Sequence, residues 1–468
     1  MAIIRHIGLQ AVNGPLIALS NVKDAAFDEV VEIEVENEEN RQGRIVHIAG
    51  DKVIIEVFEG TSNLSLKNTK IHFTGKPLMA PLSTEMIGRV FNGSCKPIDG
   101  LKEIFAEKYV DINGSAINPI ARSYPRNFIE TGISSIDSLS TLIRGQKLPI
   151  FSEAGLPHNK LAVQIVNQAK IADTVDGAKD NFCVVFAAMG IKNDVADYFK
   201  AKFEESGVLK RVVMFLNLSN DPIIERILTP RFALTTAEYL AFEKDMHVLV
   251  ILTDMTAYAE AVREISSSKG EIPGRKGFPG YLYSDLAQIY ERAGVLKSSS
   301  GSLTQIPILT MPNGDITNPV PDLTGYITEG QIVLSKELNK KGIYPPVSVL
   351  PSLSRLMKDG IGEGYTRHDH KDLANQLFAC YAKVEEVRSL ASVIGEEELS
   401  AIDKRYMEFG RAFEQIFLTQ KLNESRSIKQ TLDLGWSLLT ILPKEELDRI
   451  DPSLLDEFYD KSKSKINA

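Results

Sequence analysis

The first 75 residues alternate apolar and polar positions with the two-residue period of half-buried β-strands. One run places Val31, Ile33 and Val35 between glutamates, and residues 52–57 repeat the alternation after an Ala-Gly-Asp turn signal. Several short strands at such close spacing are typical of a small barrel. We therefore predict an N-terminal β-barrel over residues 1–75, with the glutamates on its solvated face.

Residues 76–355 form a second region, which begins with a proline-rich, loop-like segment up to about residue 130. Beyond it, apolar runs alternate with helical stretches, and this alternation builds a parallel sheet with helices on both faces. Ligands of such sheets bind beyond the carboxyl ends of the strands. We predict an α/β nucleotide-binding-type domain whose strands include residues 183–188, 212–217, 248–252 and 303–309.

A short helix is predicted where this region turns from loops to alternating elements. It opens near residue 133 and places Ile136, Leu139 and Ile143 on one face, at three- and four-residue spacing. Gly145 is the expected end of this helix, because glycine is common just after the last helical residue.

After the α/β region, apolar residues recur at the spacing of the buried face of a helix. Leu373, Leu377 and Tyr381 share one such face, and a stripe of aromatic residues follows. Stripes of this kind are far more often core than cofactor sites. The sequence predicts a C-terminal α-helical domain over residues 356–468, which ends in a polar tail from Asp460.

One stretch of the α/β region has the layout of a phosphate-binding loop, GxxxxGK[ST]. In such a loop, glycines bring backbone amides to the phosphates, the lysine reaches the terminal phosphates and the hydroxyl holds magnesium. On this template the chain has Ser152 and Pro157 at the glycines, His158 at the lysine and Asn159 at the hydroxyl. Proline has no amide hydrogen, an unperturbed histidine is mostly neutral at pH 7, and Lys160 comes too late in the pattern. Taken alone, these residues favour a plain strand-to-helix turn.

Two other stretches of this region have functional interpretations. Asp254 directly follows an apolar run, which is the arrangement of a carboxylate that positions magnesium. An aspartate that caps the next helix is an equally good interpretation. Residues 269–280 contain four glycines and two prolines, which predicts a long structured loop of the kind that is often functional.

Composition narrows the class of protein. A chain of 468 residues is too long for one hydrophobic core. Its longest apolar run, residues 182–189, is far shorter than the ~20 residues of a membrane helix, and the N-terminus lacks the apolar core of a signal peptide. A net charge of −9 without a basic block argues against a nucleic-acid surface. The three cysteines have no paired spacing, so we expect no disulfide, no metal site and a reducing cytoplasm.

The order of barrel, α/β core and helical domain resembles the α and β subunits of rotary ATPases. Three segments carry this resemblance: residues 131–137 with Arg-Gly-Gln at 144–146, the glycine loop leading into 287–294, and residues 345–355. The last segment is similar to the family signature, from which it departs at Ser348. The resemblance covers almost the whole chain. The degenerate phosphate-loop stretch of this chain, residues 152–159, is similar to that of the non-catalytic B subunits of V-type (archaeal and bacterial A/V-type) ATPases.

This resemblance implies a RecA-like P-loop NTPase fold for the central domain and a place in a hexameric ring. Three B subunits would alternate with three catalytic A subunits around central shaft subunits, held by a peripheral stalk and carried on a membrane rotor that moves H⁺ or Na⁺. ATP or ADP with magnesium would bind at the interface with A, and none would be held tightly by this chain alone. The complex would lie at the cytoplasmic inner face of the cell membrane, without insertion of this chain and without a nucleic-acid partner.

The family's arginine finger corresponds to Arg355, the last residue of the 345–355 segment. It would supply this chain's contribution to catalysis and its contact with ATP, both in trans at the A subunit. In catalytic relatives a Gly-Glu-Arg turn follows the strand equivalent to 183–188, and its glutamate polarises water; here the turn reads Ala-Ala-Met-Gly and has no carboxylate. The resemblance also places the 269–280 loop at the central opening of the ring, with Phe278 close to the shaft.

The sequence leaves three alternatives open. The chain could be a ring scaffold with no part in the chemistry. It could be a self-sufficient hexameric NTPase, such as an export ATPase or a helicase, although the missing loop lysine and the net charge disfavour this. Arg355 itself could form a structural salt bridge with a carboxylate of the C-terminal domain.

Overall fold

The computed structural model describes residues 4–35, 38–114, 117–171 and 181–459. The polar tail expected from Asp460 lies outside these residues. Within them, the chain has a β-rich N-terminal part, a central α/β part and a helical C-terminal part, in the predicted order.

An antiparallel sheet forms the N-terminal part. Its strands are β1 (Ile4–Ile7), β2 (Ala11–Asn13), β3 (Leu16–Leu19), β4 (Glu29–Glu34), β5 (Arg41–Ala49), β6 (Lys52–Val57) and β7 (Lys70–Pro77). They are hydrogen-bonded in the order β1-β7-β4-β5-β6-β3-β2. Val31, Ile33 and Ile55 are buried in its core, whereas Glu32 faces solvent. The period-two pattern therefore separates the inner face from the outer face in β4. The expectation that the glutamates lie on a solvated face is wrong at Glu56, which is 1% exposed and pairs with Arg44 at 2.9 Å.

A mostly parallel sheet is the centre of the second part. The strands of this part are β8 (Met79–Leu82), β9 (Val90–Asn92), β10 (Lys108–Asp111), β11 (Arg122–Ser123), β12 (Ile129–Glu130), β13 (Ile150–Glu153), β14 (Lys170–Ile171), β15 (Phe182–Ile191), β16 (Val212–Leu218), β17 (His247–Thr253), β18 (Gly294–Leu296), β19 (Ser302–Met311), β20 (Gly330–Leu334) and β21 (Val347–Ser354). The main order is β21-β20-β13-β19-β17-β15-β16-β9, and along it only β21 runs antiparallel to its neighbour. The four predicted strands are confirmed, each slightly longer than expected.

Helices cover both faces of this sheet, as predicted for the α/β alternation. They are α1 (Ser134–Leu139), α2 (His158–Gln168), α3 (Asn193–Glu205), α4 (Ile223–Glu238), α5 (Met255–Ser268), α6 (Leu282–Tyr290), α7 (Pro319–Ile327) and α8 (Lys336–Lys340). Successive side chains of β15 enter opposite cores: Val184 and Phe186 pack with α2 and α3, while Val185 and Ala187 pack with α4 and α5. Both faces of the central strands are therefore buried.

The prediction that the first helix extends to Gly145 is wrong. Helix α1 ends at Leu139, and Ile143 lies beyond it in the core. The Oγ of Ser138 donates to a main-chain carbonyl of its own helix, and that of Thr141 donates to the carbonyl of Asp137. Hydroxyl side chains of this kind compete with helical hydrogen bonds, which explains the early end.

Helices build the C-terminal part: α9 (His370–Ile394), α10 (Ala401–Ala412), α11 (Ile428–Leu439) and α12 (Pro452–Leu454). The aromatic stripe lies in their core, where the ring of Phe413 stacks 5.7 Å from Phe409 and 5.0 Å from Phe417. The core interpretation of the stripe is thus confirmed. No helix in the described ranges has the length and apolar character needed to cross a lipid bilayer.

Two buried hydrogen bonds attach the C-terminal part to α1 and to the residues just before it. The Nε2–H of His370 donates to the carbonyl of Ser138 at 2.9 Å, and the Nε2 of Gln420 donates to the carbonyl of Gly132 at 2.9 Å. Buried polar groups of this kind are costly to leave unpaired. They therefore fix the helical part against the α/β part.

Candidate functional site

The degenerate loop lies at the carboxyl end of β13, between Glu153 and the start of α2 at His158. The Oγ of Ser152 and the Nδ1 of His158 are 2.9 Å apart. Burial lowers the pKa of His158 below its ordinary value, so the imidazole is neutral at pH 7. The side chain at the lysine position therefore brings no positive charge to this loop.

The backbone of the loop is also engaged within itself. The N–H of Leu156 donates to the carbonyl of Glu153, and the N–H of His158 donates to the carbonyl of Leu156. Pro157 has no N–H to offer. The carboxylate of Glu153 forms an ion pair with Lys336, which places a negative charge beside the loop. These residues do not fit the phosphates of a nucleotide.

Asp254, at the carboxyl end of β17, serves as the N-cap of α5. Its Oδ1 accepts the N–H of Thr256 at 2.8 Å, and its two oxygens accept the N–H and the Oγ1–H of Thr310 at 3.2 and 2.5 Å. Protein donors therefore occupy both carboxylate oxygens. Of the two interpretations of Asp254, the capping role is the one that the hydrogen bonds bear out.

The last residues of β15 contain no carboxylate in the place where catalytic relatives have a glutamate. Gly190 has a left-handed backbone (φ +66°), and Ile191 and Lys192 follow it. The N–H of Gly190 donates to Asn217 Oδ1 at 3.1 Å. A Cβ at Gly190 would lie 2.9 Å from the Nε of Arg226. The end of β15 thus packs against a guanidinium, and residues 187–190 offer no base to activate water.

Arg355 lies at the opposite edge of the same sheet. It directly follows β21, whose last residue, Ser354, pairs with Gly330 at the start of β20. Since β20 runs parallel to β13, its start lies at the amino edge, whereas the degenerate loop lies at the carboxyl edge. A five-residue strand separates the two edges by roughly 15 Å. The side chain of Arg355 therefore serves a different surface from the loop of its own chain.

The side chain of Arg355 is exposed and lightly held. Its backbone N–H donates to the carbonyl of Glu329 at 2.9 Å, and its Nη1 makes a long contact of 3.4 Å with the carbonyl of Thr328. Within the described ranges, no carboxylate forms an ion pair with Arg355, in the C-terminal helices or elsewhere. The alternative of a structural salt bridge to the C-terminal domain is thus not observed there.

Two buried residues before β13 hold the backbone around Arg355, and the sequence did not assign them a role. The Nε2 of Gln146 donates to the carbonyl of Glu329 at 3.0 Å and to the Oγ of Ser354 at 2.9 Å. Lys147 pairs with the carboxylates of Glu329 at 2.9 Å and Glu291 at 2.7 Å. Gln146 belongs to the Arg-Gly-Gln motif of residues 144–146, and that motif was the feature of the sequence that could have identified its role.

The glycine-rich loop of residues 269–280 connects α5 to α6, and it turns Phe278 inward. The ring of Phe278 is 4% exposed and lies under the guanidinium of Arg263 at 5.4 Å. Ile272 is 91% exposed on the same loop. Because the ring of Phe278 fills the core, Ile272 is the better exposed probe of any contact that this loop makes.

Comparison with known proteins gives three adjoining matches. Residues 9–75 match the beta-barrel domain of the ATP synthase alpha/beta family, and residues 132–354 match its nucleotide-binding domain. Residues 359–459 match the C-terminal domain of V and A type ATP synthase. These matches bear out the predicted fold class of β-barrel, α/β nucleotide-binding domain and helical C-terminal domain.

Individual relatives match over nearly the full chain. A V-type ATP synthase beta chain 2 from Clostridium tetani is 63% identical over 97% of this chain and 98% of its own length. A V-type ATP synthase beta chain from Thermotoga neapolitana is 59% identical over 99% of both chains. The solved structure of the ATP synthase subunit NeqB from Nanoarcheaum equitans has a TM-score of 0.72 and 41% identity, covering 91% of this chain and 98% of that chain. The chain therefore belongs to the ATP synthase alpha/beta family and, within it, to the V-type ATP synthase beta chains, the B subunits of rotary ATPases.

Proposed function

We propose that this B subunit donates Arg355 as an arginine finger to the nucleotide of a neighbouring catalytic A subunit. The observation that carries the proposal is the position of Arg355: an exposed guanidinium without a carboxylate partner in the described ranges, at the sheet edge opposite to the degenerate loop of its own chain. A residue so placed acts on a neighbour and not on its own loop. The planar guanidinium suits two phosphate oxygens at once, which a lysine does not.

The state of the degenerate loop supports a division of labour between the subunits. The neutral His158, the occupied carboxylate of Asp254 and the absent base after β15 leave this chain without its own hydrolytic site. Magnesium and ATP or ADP are then held on the A side of the interface, with this chain closing the site. For the same reason, the chain alone does not bind MgATP tightly.

The proposed assembly is a ring of three A and three B subunits around a central shaft, with a peripheral stalk. ATP turnover in this ring is coupled to H⁺ or Na⁺ movement through membrane subunits, and the ring lies at the cytoplasmic face of the membrane. The proposal divides the chain into a barrel over residues 1–75, a nucleotide-binding-type domain over 76–355 and a helical domain over 356–468. Arg355 is then the last residue of the central domain.

A scaffold without a part in the chemistry is the second candidate function. It is favoured by the lack of catalytic groups at the carboxyl edge among the described residues. It gives no reason for an arginine at the other edge that has no carboxylate partner within the described ranges. A self-sufficient hexameric NTPase is disfavoured by the loop residues themselves. Removal of the Arg355 side chain distinguishes the arginine-finger function from the scaffold function.

The test is the steady-state ATPase rate of rings assembled from the cognate A subunit and Arg355→Ala. Loss of a finger costs ~10³–10⁵ in rate, or ~4–7 kcal/mol of barrier, so the variant ring should assemble and be nearly inactive. Arg405→Ala, which removes another exposed arginine, is the matched control and should keep the wild-type rate. An assembled Arg355→Ala ring that keeps more than about a tenth of the rate, a loss under ~1.4 kcal/mol, would support the scaffold instead.

A further inference from the structure

We propose that Lys147 keeps the guanidinium of Arg355 available by holding the carboxylate of Glu329 away from it. This inference rests on the proposed finger role of Arg355 and adds a positioning residue to it. The local geometry favours an ion pair between Arg355 and Glu329 that is not formed, and Lys147 is the group that prevents it.

Arg355 and Glu329 face each other across the antiparallel pair of β20 and β21. Gly330 and Ser354 are registered partners, and one step further the N–H of Arg355 donates to the carbonyl of Glu329 at 2.9 Å. Side chains of residues opposite each other in such a pair project to the same face, where opposite charges attract. Glu329 is thus the carboxylate best placed to neutralise the finger.

The carboxylate of Glu329 is instead bound at both oxygens by Lys147. Its Oε1 lies 2.9 Å from the Nζ of Lys147, and its Oε2 accepts the backbone N–H of Lys147 at 2.8 Å. The side chain of Lys147 is 6% exposed, so water competes weakly for this charge-assisted pair. We call this arrangement of Lys147 and Glu329 the clamp.

A second carboxylate keeps Lys147 in place without approaching Arg355. The Oε1 of Glu291 lies 2.7 Å from the Nζ of Lys147, and its Oε2 lies 3.5 Å from an Nη atom of Arg122. Cations and carboxylates therefore alternate in the order Arg122, Glu291, Lys147 and Glu329. Arg355 comes next to this row and has no carboxylate of its own among the described residues.

The clamp matters because a finger acts through its charge. If Glu329 were free, its carboxylate would pair with Arg355 within the same chain, and the neighbouring nucleotide would have to compete for the guanidinium. Among the described residues, the clamp leaves the guanidinium only the weak carbonyl contact of Thr328 at 3.4 Å. Binding to phosphate then requires no ion pair to be broken.

Assembled rings with single and double variants test the clamp. Lys147→Met removes the Nζ contact that neutralises Glu329 and leaves only the backbone N–H bond to its Oε2. It should lower ATPase turnover about two- to fivefold, the range of one cross-strand ion pair. Lys147→Met with Glu329→Gln should return turnover to near wild type, because the released side chain is then neutral. Glu329→Gln alone should stay near wild type. If Lys147→Met fails to assemble, Lys147→Gln carries the same comparison with the same expected results.

A chemical readout follows the guanidinium itself. Phenylglyoxal modifies free arginine faster than ion-paired arginine, and peptide mass spectrometry reports the peptide that contains Arg355. In the full chain, Lys147→Met should slow this modification, and the double variant should restore it.

Equal loss of turnover in the single and double variants would overturn the clamp, as would an unchanged modification rate in Lys147→Met. An active Arg355→Ala ring with the expected modification pattern would overturn the finger and leave the clamp. The two proposals therefore fail separately.

Discussion

The hydroxyl of Ser152 and the Nδ1 of His158 lie 2.9 Å apart, at the positions where a working phosphate-binding loop has a glycine and its lysine. The groups that would meet a phosphate meet each other instead. Because burial also keeps His158 neutral, the loop is satisfied without a ligand. At the carboxyl edge of this sheet the loop residues bond to each other, whereas the exposed side chain of Arg355 lies at the amino edge.

The isolated chain should not bind MgATP with micromolar affinity, because the loop lacks the lysine, the hydroxyl and one amide. Pro157→Gly, His158→Lys and Asn159→Thr together should restore some binding without turnover, since no base is restored. Titration calorimetry on both chains measures the affinity, and a phosphate-release assay measures turnover. Micromolar binding by the unmodified chain would contradict this view of the loop.

Arg355→Lys should fail nearly as badly as Arg355→Ala in assembled rings. A single ammonium cannot contact two phosphate oxygens with the fixed fork of a guanidinium. We expect a loss of at least about a hundredfold in the ATPase rate, or ~2.7 kcal/mol, with the ring intact by gel filtration. A lysine variant close to the wild-type rate would mean that only charge matters at this position.

Gln146→Met should reduce both stability and turnover, because Gln146 is fully buried and fastens both strands next to Arg355. Loss of its donors should lower the free energy of unfolding by about 1–3 kcal/mol and the ATPase rate by about tenfold or more. Urea unfolding of the chain and ATPase of the ring measure the two effects. Gln331→Met is the control, since its amide bonds Pro351 on the exposed side of the same strands. Equal effects in both variants would argue against a special role for Gln146.

The 269–280 loop should contact the central shaft through its exposed residues. A cysteine at Ile272, which is 91% exposed, should crosslink to a shaft subunit in the assembled complex, whereas a cysteine at the buried Phe278 should not. Mass spectrometry of the crosslinked product identifies the partner. Crosslinks from Ile272 to the peripheral stalk would place the loop on the outside of the ring.

His370 should make the chain less stable in mild acid. Burial lowers the pKa of His370 to about 4, against about 6.5 in an unfolded chain. Its stabilising contribution is present while the imidazole is neutral, above about pH 6.5, and is lost as the pH falls towards 4. Between pH 7 and pH 5 this loss is about 2 kcal/mol in the free energy of unfolding.

His370→Gln should remove that part of the pH dependence, and urea unfolding at the two pH values measures it. His368→Gln is the matched control, because His368 is a neighbouring histidine on the surface. If the acid loss is the same with and without His370, the contact between His370 and Ser138 does not carry it.

Periodicity predicted most of the fold. Two-residue alternation identified the inner face of the barrel at Val31 and Ile33, and long apolar runs identified the buried strands. These signals are local, because burial of a face repeats along each element. Periodicity failed at Ile143, which is apolar at helical spacing but lies after the helix. There the serine and threonine hydroxyls decided the outcome.

The sequence by itself determined which chemistry this chain lacks, since a missing lysine, hydroxyl or carboxylate is a matter of residue identity. Only the tertiary structure decided where Arg355 lies. The antiparallel turn of β21 carries Arg355 to the edge opposite to the degenerate loop. The parallel pairing of β20 with β13 brings Glu329 within reach of Lys147, 182 positions away in the chain. Such contacts depend on strand order and direction, which no local pattern of residues encodes.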